Sequence, residues 1–399
     1  MKTRIFLSIL TIATCFIFST HLNATIKGSE AAISVEPYYD FLSTETDNSM
    51  LGFGWFKNGF GLEDSSTTCT FESIFPVSGD VYLNGGFLHL NSDLLFRNMM
   101  TWHTPGTIVA NDYVVDFSSS VTTLGNTSNF QVFDNSIVNI NSDLIISGSV
   151  KFSGNCLFNG NGKRVLLGDN GYLLIDENTT VTFKDIYIDG ITEGKISCLA
   201  DSSNLVLDDV RWIQDGDYSF TNGSFKIFNQ VDFTGSYTFS YESGQTSTIH
   251  KNSRLVVVDE LVFVVGRKES QDYVEPLCFQ DETSILKLHD CSLIISDSGM
   301  CLTRGTVVVE GDVFLDIHSS TTQNGFVLGD GTEQGDMKLK FNPGSAMHYL
   351  SGHLVDNVTD PGFLSPKQEN ARLIRYANTV FHLQQNINIA NLIVDSDLL

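Results

Sequence analysis

The chain has 399 residues, 23 of them basic and 47 acidic, so its formal net charge is −24 at pH 7. Such an acidic chain repels phosphate backbones, which argues against nucleic acid as a partner. Val, Ile, Leu and Phe come in short alternating runs between Gly, Asn, Asp, Ser and Thr. This is the pattern of strands and turns, and the near absence of helical periodicity argues against bundles and doubly wound α/β folds.

Residues 1–24 have the pattern of a secretory signal peptide. Lys2 and Arg4 form a basic start, Ile5–Phe18 is largely apolar, and the segment ends on the small residue Ala24. An alternative interpretation makes Cys15 the lipidated cysteine of a lipoprotein. Cleavage after Ala24 would remove Lys2 and Arg4. The mature chain would then have 21 basic and 47 acidic side chains, and a net charge of about −26. Because of this N-terminal pattern, we expect an exported protein located in the extracellular space, in the periplasm or on the outer surface.

No segment after the signal is long and apolar enough to span a membrane as a helix, so no transmembrane helix is expected once the signal is removed. Residues 25–79 repeat weakly and contain the glycine- and aromatic-rich run Leu51–Gly61. We interpret them as an N-terminal lead-in or cap for a repetitive domain, residues 80–399. Its last predicted strand, Leu392–Val394, is followed by no visible cap, so we expect either an unusual end segment that protects it or a chain shorter than its natural product.

Within the repetitive domain, Ile213–Phe233 aligns without a gap on the later segment Ile295–Leu315. The aligned pairs are Phe220 with Leu302, Gly223 with Gly305, Phe225 with Val307, Ile227 with Val309, Val231 with Val313 and Phe233 with Leu315. A second match, at nearly twice this interval, joins Leu166–Asp169 with Val327–Asp330. A pattern that keeps its apolar positions and a glycine while most other residues change predicts one stacked unit used repeatedly. The interval between the first two segments then holds three or four turns.

Two all-β architectures fit this pattern. In a parallel β-helix each strand pairs with its equivalent one coil further along, so inward positions recur, whereas a β-sandwich has no reason to repeat. We therefore predict a single-column right-handed parallel β-helix, with a β-sandwich as the alternative. The one stretch with helical character, Pro366–Tyr376, fits a helix or a loop. The predicted strand starts are Phe87–Leu90, Ile137–Ile140, Tyr172–Ile175, Leu205–Leu207, Phe225–Ile227, Leu255–Val257, Ile285–Leu288 and Val307–Val309.

Six cysteines follow the signal: Cys69, Cys156, Cys198, Cys278, Cys291 and Cys301. An even number in an exported chain permits disulfides, and a bridge between neighbouring coils is conceivable within residues 278–301. Small buried core residues are the alternative. None of the six has CxxC or Cys/His metal spacing, and we expect no metal and no cofactor.

Asp208 and Asp209 are weak candidates for catalysis, because some β-helix glycosidases use an adjacent aspartate pair with a third carboxylate. Two carboxylates act as acid and base only when they face one substrate, and adjacent strand residues point to opposite faces. The Gly-His-Gly and Arg-Ile-Lys of the polygalacturonase-type pattern do not follow; the nearest segments are Gly352-His353-Leu354 and Arg372–Arg375. The alternative interpretation is a pair of turn aspartates.

Other polar and aromatic residues offer further candidate sites. Asp215 and Asp217 supply carboxylates for calcium, but the β-roll nonapeptide is absent and ordered Asx turns explain them better. The eight histidines after residue 24 show no metal-ligand spacing; they are His89, His103, His250, His289, His318, His348, His353 and His382. Outward aromatic rings would form a sugar-stacking platform, for which the candidates are Trp55, Trp102, Trp212 and Tyr237. Packing of Trp212 at a turn is the alternative interpretation.

In the recurrence of their strands and turns, residues 79–399 resemble exported right-handed parallel β-helix repeat proteins of bacteria, including passengers of the polymorphic-membrane-protein type. Phe152-Ser153-Gly154-Asn155 matches the Phe-x-x-Asn motif of that group. The companion motif Gly-Gly-Ala-Ile is absent, and Gly85–Leu88 resembles it only in its two glycines and its apolar end. The resemblance implies a surface or secreted structural or adhesive protein more than an enzyme.

The sequence thus favours a non-enzymatic, secreted or cell-surface β-helix scaffold of adhesin type. Its expected partner is a host or envelope surface protein or a glycan. The alternative is a β-helix enzyme or binding protein that acts on polysaccharides. A third hypothesis is a self-assembling envelope component that pairs edge to edge, because the end coils of a solenoid present unpaired strand edges.

Overall fold

The computed structural model describes residues 40–42, 49–50, 59–62, 64–71, 75–117, 124, 130–266, 275–296, 299–318, 326–328, 337–342, 344–351, 354–355, 372–374 and 380–383. These residues form strands and turns and contain no helix, hence none that could span a membrane. The signal segment, Trp55 and His353 lie outside the described residues.

The strands are β1 (Asp40–Leu42), β2 (Ser49–Met50), β3 (Gly59–Leu62), β4 (Thr68–Phe71), β5 (Phe75–Tyr82), β6 (Phe87–Leu90), β7 (Leu94–Thr104), β8 (Thr107–Val109), β9 (Val114–Phe117), β10 (Gln131–Asp134), β11 (Ile137–Ile140), β12 (Leu144–Ile146), β13 (Ser149–Ser153), β14 (Asn155–Leu167), β15 (Tyr172–Ile175), β16 (Thr180–Ile191), β17 (Ile196–Cys198), β18 (Asn204–Gln214), β19 (Tyr218–Phe220), β20 (Ser224–Thr234), β21 (Thr238–Tyr241), β22 (Ser247–Ile249), β23 (Arg254–Val257), β24 (Val262–Val265), β25 (Leu277–Phe279), β26 (Ile285–Ile295), β27 (Met300–Leu302), β28 (Gly305–Ile317), β29 (Phe326–Leu328), β30 (Met337–Phe341), β31 (Ala346–Ser351), β32 (Leu354–Val355), β33 (Arg372–Ile374) and β34 (Val380–Leu383).

Every pairing between these strands is parallel. The described residues wind through about 10 turns of a β-solenoid. The predicted parallel β-helix is therefore confirmed, and the β-sandwich alternative is wrong, because a sandwich pairs its strands mainly antiparallel. Within Pro366–Tyr376 the described residues form strand β33, which pairs with β30. Strands β1, β3 and β4, in the predicted lead-in, join the same parallel ladders.

Each coil consists of three straight segments, which stack on their equivalents in the next coil and so form three walls. In one coil, the first arm of β18 lies on the first wall, its second arm on the second wall, and β19 on the third. The next coil repeats this order, since Leu205 pairs with Phe225, Val210 with Val231 and Tyr218 with Phe239. Inward side chains of successive coils therefore lie over one another.

The core consists of these vertical files of inward residues. One file on the second wall consists of Val231, Leu255, Leu286, Val307 and Leu339, which pair in succession. All five are buried. In an isolated coil these inward side chains would be exposed to water above and below. The burial of apolar surface that stabilises the fold therefore comes from the stacking of coils.

The internal sequence match superposes different walls. Phe225 lies on the first wall, where it pairs with Leu205, whereas its sequence partner Val307 lies in the second-wall file of Val231. Likewise Phe220 pairs with Tyr241 on the third wall, and Leu302 belongs to the β27–β29 ladder of another wall. The interval between the matched segments is thus three coils plus one wall, within the predicted three or four turns.

Cys69, Cys156, Cys198, Cys278, Cys291 and Cys301 form no disulfide with any described residue. Burial raises the pKa of Cys69 and Cys156 to about 11 and that of Cys198 and Cys291 to about 12. Because a thiolate is the reactive species, these four thiols are expected to be inert in the folded protein.

Iodoacetamide labelling at pH 8 checks this expectation. Cys69, Cys156, Cys198 and Cys291 should react only after denaturation, because folding both covers their sulfur atoms and keeps them protonated. Half-buried Cys278 provides the internal comparison, since it is more accessible. Rapid alkylation of Cys198 in the native protein would contradict the structure.

Candidate functional site

The corner between the first and second walls is built by strands that bend within one coil. β16, β18 and β20 each turn at a single residue with left-handed backbone, namely Asp185 (φ 46°), Asp209 (φ 54°) and Asn229 (φ 51°). Aspartate and asparagine tolerate this conformation better than other non-glycine residues, because their short polar side chains bond locally. The sequence therefore places Asx residues along one vertical edge of the column.

The bend places both candidate catalytic aspartates on the outside of the column. Across Leu207–Val210 the side chains are buried, half-buried, exposed and buried in turn. The expectation that Asp208 and Asp209 point to opposite faces is therefore wrong, because the left-handed backbone at Asp209 interrupts the strand alternation.

Both carboxylates accept hydrogen bonds from the next coil. Asp208 Oδ1 accepts one from Asn229 Nδ2 at 2.5 Å, and Asp209 Oδ1 accepts one from the Gln230 backbone N–H at 3.2 Å. The Lys184 ammonium lies 3.9 Å from Asp208 Oδ2. These contacts join three successive coils, so the pair is part of the structural corner, as the turn interpretation predicts.

Beside this corner the second wall forms an open cavity of about 310 Å³. We call it the corner groove. Its polar lining consists of Asp185, Tyr187, Asp209, Arg211, Gln230 and Asp232. Ile186 and Val210 also line it and are otherwise buried in the core. The groove therefore has a buried apolar base and a polar, partly aromatic surface.

Strand register brings the groove residues together. Tyr187 pairs with Arg211, and Arg211 pairs with Asp232, so three outward side chains stand in one row across three coils. Neighbouring strands are spaced about 4.8 Å apart, which sets the separation of these positions. The Tyr187 side chain is 42% exposed, so its ring is accessible from solvent.

Three groups in the groove make no hydrogen bond or ion pair with any described residue: the Asp185 carboxylate, the Tyr187 hydroxyl and the Arg211 guanidinium. The charged side chains next to these three groups do have partners within the protein. Asp232 accepts bonds from Gln230 Nε2 at 2.8 and 3.1 Å, and Arg164 pairs with Asp189. The groove thus offers one unpaired acceptor, one unpaired donor group and one exposed ring to a ligand.

Other predicted candidates have different environments. Trp102 and Trp212 are 2% and 0% exposed and lie in the core, so neither can be an outward platform. Tyr237 is exposed, as that hypothesis requires. Asp217 accepts a hydrogen bond from the Thr238 backbone N–H at 2.9 Å, which joins two coils. Asp215 is exposed.

Several histidines lie beside carboxylates. The Nε2 atoms of His103, His289, His318 and His348 lie 2.8–3.3 Å from Asp80, Asp290, Asp316 and Asp312, respectively. Among the described residues, no group of three or more His, Cys, Asp or Glu side chains has the arrangement of a metal site.

Sequence analysis missed Asp185, Tyr187 and Arg211. Each occupies an ordinary corner or outward position, as in Ile186-Tyr187-Ile188 and Val210-Arg211-Trp212. The alternation of these segments marks the side chains as outward, but nothing in it shows which coils place them side by side.

The fold and the groove define a β-solenoid protein with parallel sheets and an open polar surface. In comparisons with family models, curated proteins and solved structures, the chain matches none.

Proposed function

We propose that this protein is an exported, non-enzymatic β-helix scaffold that binds a partner on a cell surface or in the extracellular space. The observation that carries the proposal is the corner groove, in which an exposed ring and unpaired polar groups stand on a tightly packed column. Preorganised groups on a rigid support suit recognition, because little order must be imposed when the partner binds.

The signal-like N-terminus and the acidic composition support export and a soluble surface. The resemblance to bacterial β-helix passengers supports an adhesin-type role. Self-assembly through strand edges is a separate hypothesis and has no specific support in the groove.

The polysaccharide-cleaving alternative depends on Asp208 and Asp209. Both carboxylates bond to the following coil, so their roles are structural in the proposed scaffold. A general acid and base must face one substrate, and of these two outward carboxylates only Asp209 lines the corner groove.

Incubating the purified protein with a panel of acidic polysaccharides tests this choice. We expect no release of reducing ends or unsaturated products from the wild type. Asp208→Ala is expected to lower the free energy of unfolding by about 0.5–1.5 kcal/mol, because the Asn229 amide loses its acceptor. Denaturant unfolding measures this loss, and Asp215→Ala, at an exposed turn, serves as the control. Turnover that disappears in Asp208→Ala or Asp209→Ala while the protein stays folded would overturn the scaffold proposal.

A further inference from the structure

We infer that the corner groove is a binding site for a neutral oligosaccharide. This inference rests on the proposed scaffold function and deepens it by naming the ligand class. It depends on the exposed ring of Tyr187, on the unpaired polar groups beside it, and on the charge of the groove and of the chain.

The aromatic part of the site is Tyr187. Its ring is 42% exposed and stacks on no other described ring, although aromatic pairs are frequent elsewhere in the column. A large exposed ring with an apolar face is suited to a ligand with an apolar face of its own. The C–H face of a pyranose ring has this property, and its hydroxyl groups remain free at the edge.

The polar part consists of Asp185 and Arg211. A carboxylate only accepts hydrogen bonds and a guanidinium only donates them, so a ligand that satisfies both must have donors and acceptors close together. Sugar hydroxyls are both. Arg211 is the register neighbour of Tyr187, and Asp185 lies just before Tyr187 at the corner, so both lie beside the ring.

The charge of the groove selects among saccharides. Asp185, Asp209 and Asp232 supply three carboxylates, against the guanidinium of Arg211 and that of Arg254, which donates to Gln230 Oε1. In the preceding coil Arg164 is paired with Asp189, so it adds no net charge. The whole chain carries a net charge of −24. Uronates and sulfated glycans would be repelled, and neutral sugars would not. The site therefore fits a neutral hexose oligomer.

The row of outward residues gives the site its direction. Tyr187, Arg211 and Asp232 stand at the same register position on consecutive coils. A chain of sugars would therefore run along the column axis, across the strands, with its stacked residue on Tyr187. The bonded carboxylate of Asp232 lies at the far end of this row.

Isothermal titration with cellohexaose, maltohexaose and mannohexaose tests the inference, with hexagalacturonate as the acidic probe. We expect at least one neutral hexamer to bind and the acidic one not to bind. Tyr187→Ala should weaken that binding about tenfold through loss of the stacked ring. Asp185→Asn and Arg211→Ala should each weaken it as well; asparagine keeps the left-handed backbone of residue 185 accessible.

Tyr237→Ala is the matched control, because Tyr237 is a tyrosine of similar exposure (41%) outside the groove. It should leave affinity unchanged. Equal thermal melting of all variants would show that the changes act on binding. Failure of every neutral hexamer to bind, unchanged affinity in Tyr187→Ala, or preference for hexagalacturonate would each overturn the inference. Cleavage of a bound neutral hexamer would instead overturn the non-enzymatic proposal and leave the saccharide site standing.

Discussion

Replacing Trp212 by alanine should lower the free energy of unfolding by about 3–5 kcal/mol, the usual cost of removing a large buried aromatic side chain. Trp212 is 0% exposed. Its ring centroid lies 5.3–6.2 Å from those of Tyr218, Phe225, Phe233 and Phe239, which belong to its own coil and the next. The loss should therefore loosen two neighbouring coils rather than a single strand.

Denaturant unfolding followed by circular dichroism measures this loss. Trp212→Phe is the matched control. The indole Nε1 atom is buried without a hydrogen-bond partner among the described residues, so phenylalanine keeps much of the packing and removes an unsatisfied polar group. Trp212→Phe should lower the free energy of unfolding clearly less than Trp212→Ala does. Equal stabilities of the wild type and Trp212→Ala would contradict the described core.

Replacing Gly305 by alanine should destabilise the protein by about 2–4 kcal/mol, because overpacking and a strained backbone add together. Gly305 has a φ of 89°. A Cβ atom there would overlap with the Phe279 ring and lie 2.8 Å from the Ser284 carbonyl oxygen, both in the preceding coil. The stacked coils would have to separate to accommodate it.

Gly194→Ala separates the two contributions to this loss. Gly194 also has a positive φ, 74°, but a Cβ there would meet no atom of the described residues within 4 Å. Alanine at this position should therefore cost only the backbone strain, about 1–2 kcal/mol. Thermal unfolding of both variants gives the comparison, and a Gly305→Ala loss no larger than that of Gly194→Ala would show that the coils are not in close contact at this glycine.

Gly305 also explains why the internal sequence match is informative about the fold. It aligns with Gly223, whose Cβ would lie 2.6 Å from the Ser203 carbonyl oxygen and 2.8 Å from Cys198 Sγ. Both glycines follow a corner and allow one coil to approach the coil before it. Inward apolar residues and these close approaches are dictated locally, so the solenoid can be predicted from the sequence.

The groove cannot be predicted in this way, because it depends on register between coils of unequal length. The interval from Tyr187 to Arg211 is longer than the interval from Arg211 to its own partner Asp232. Beyond Asp232, the same register position is occupied by Val256 and then by Lys287. The interval from Val256 to Lys287 is longer than either of the first two. No fixed period exists from which the neighbours of an outward residue could be calculated.

Asp208 and Asp209 show the opposite case. They are conspicuous in the sequence as an adjacent pair, and their left-handed corner cannot be recognised from a strand pattern that predicts strict alternation. The bonds from Asn229 and Gln230 become visible only when the two coils are placed in register.

The three walls follow the same inward pattern, as the match of Phe225 on Val307 shows. A column of this kind can therefore lengthen by one wall segment as well as by a complete coil, and its interior still closes. After such an insertion every later segment moves to the following wall. The surface features beyond it, a groove included, would rotate around the axis relative to those before it, so the same core can present its binding sites in different directions.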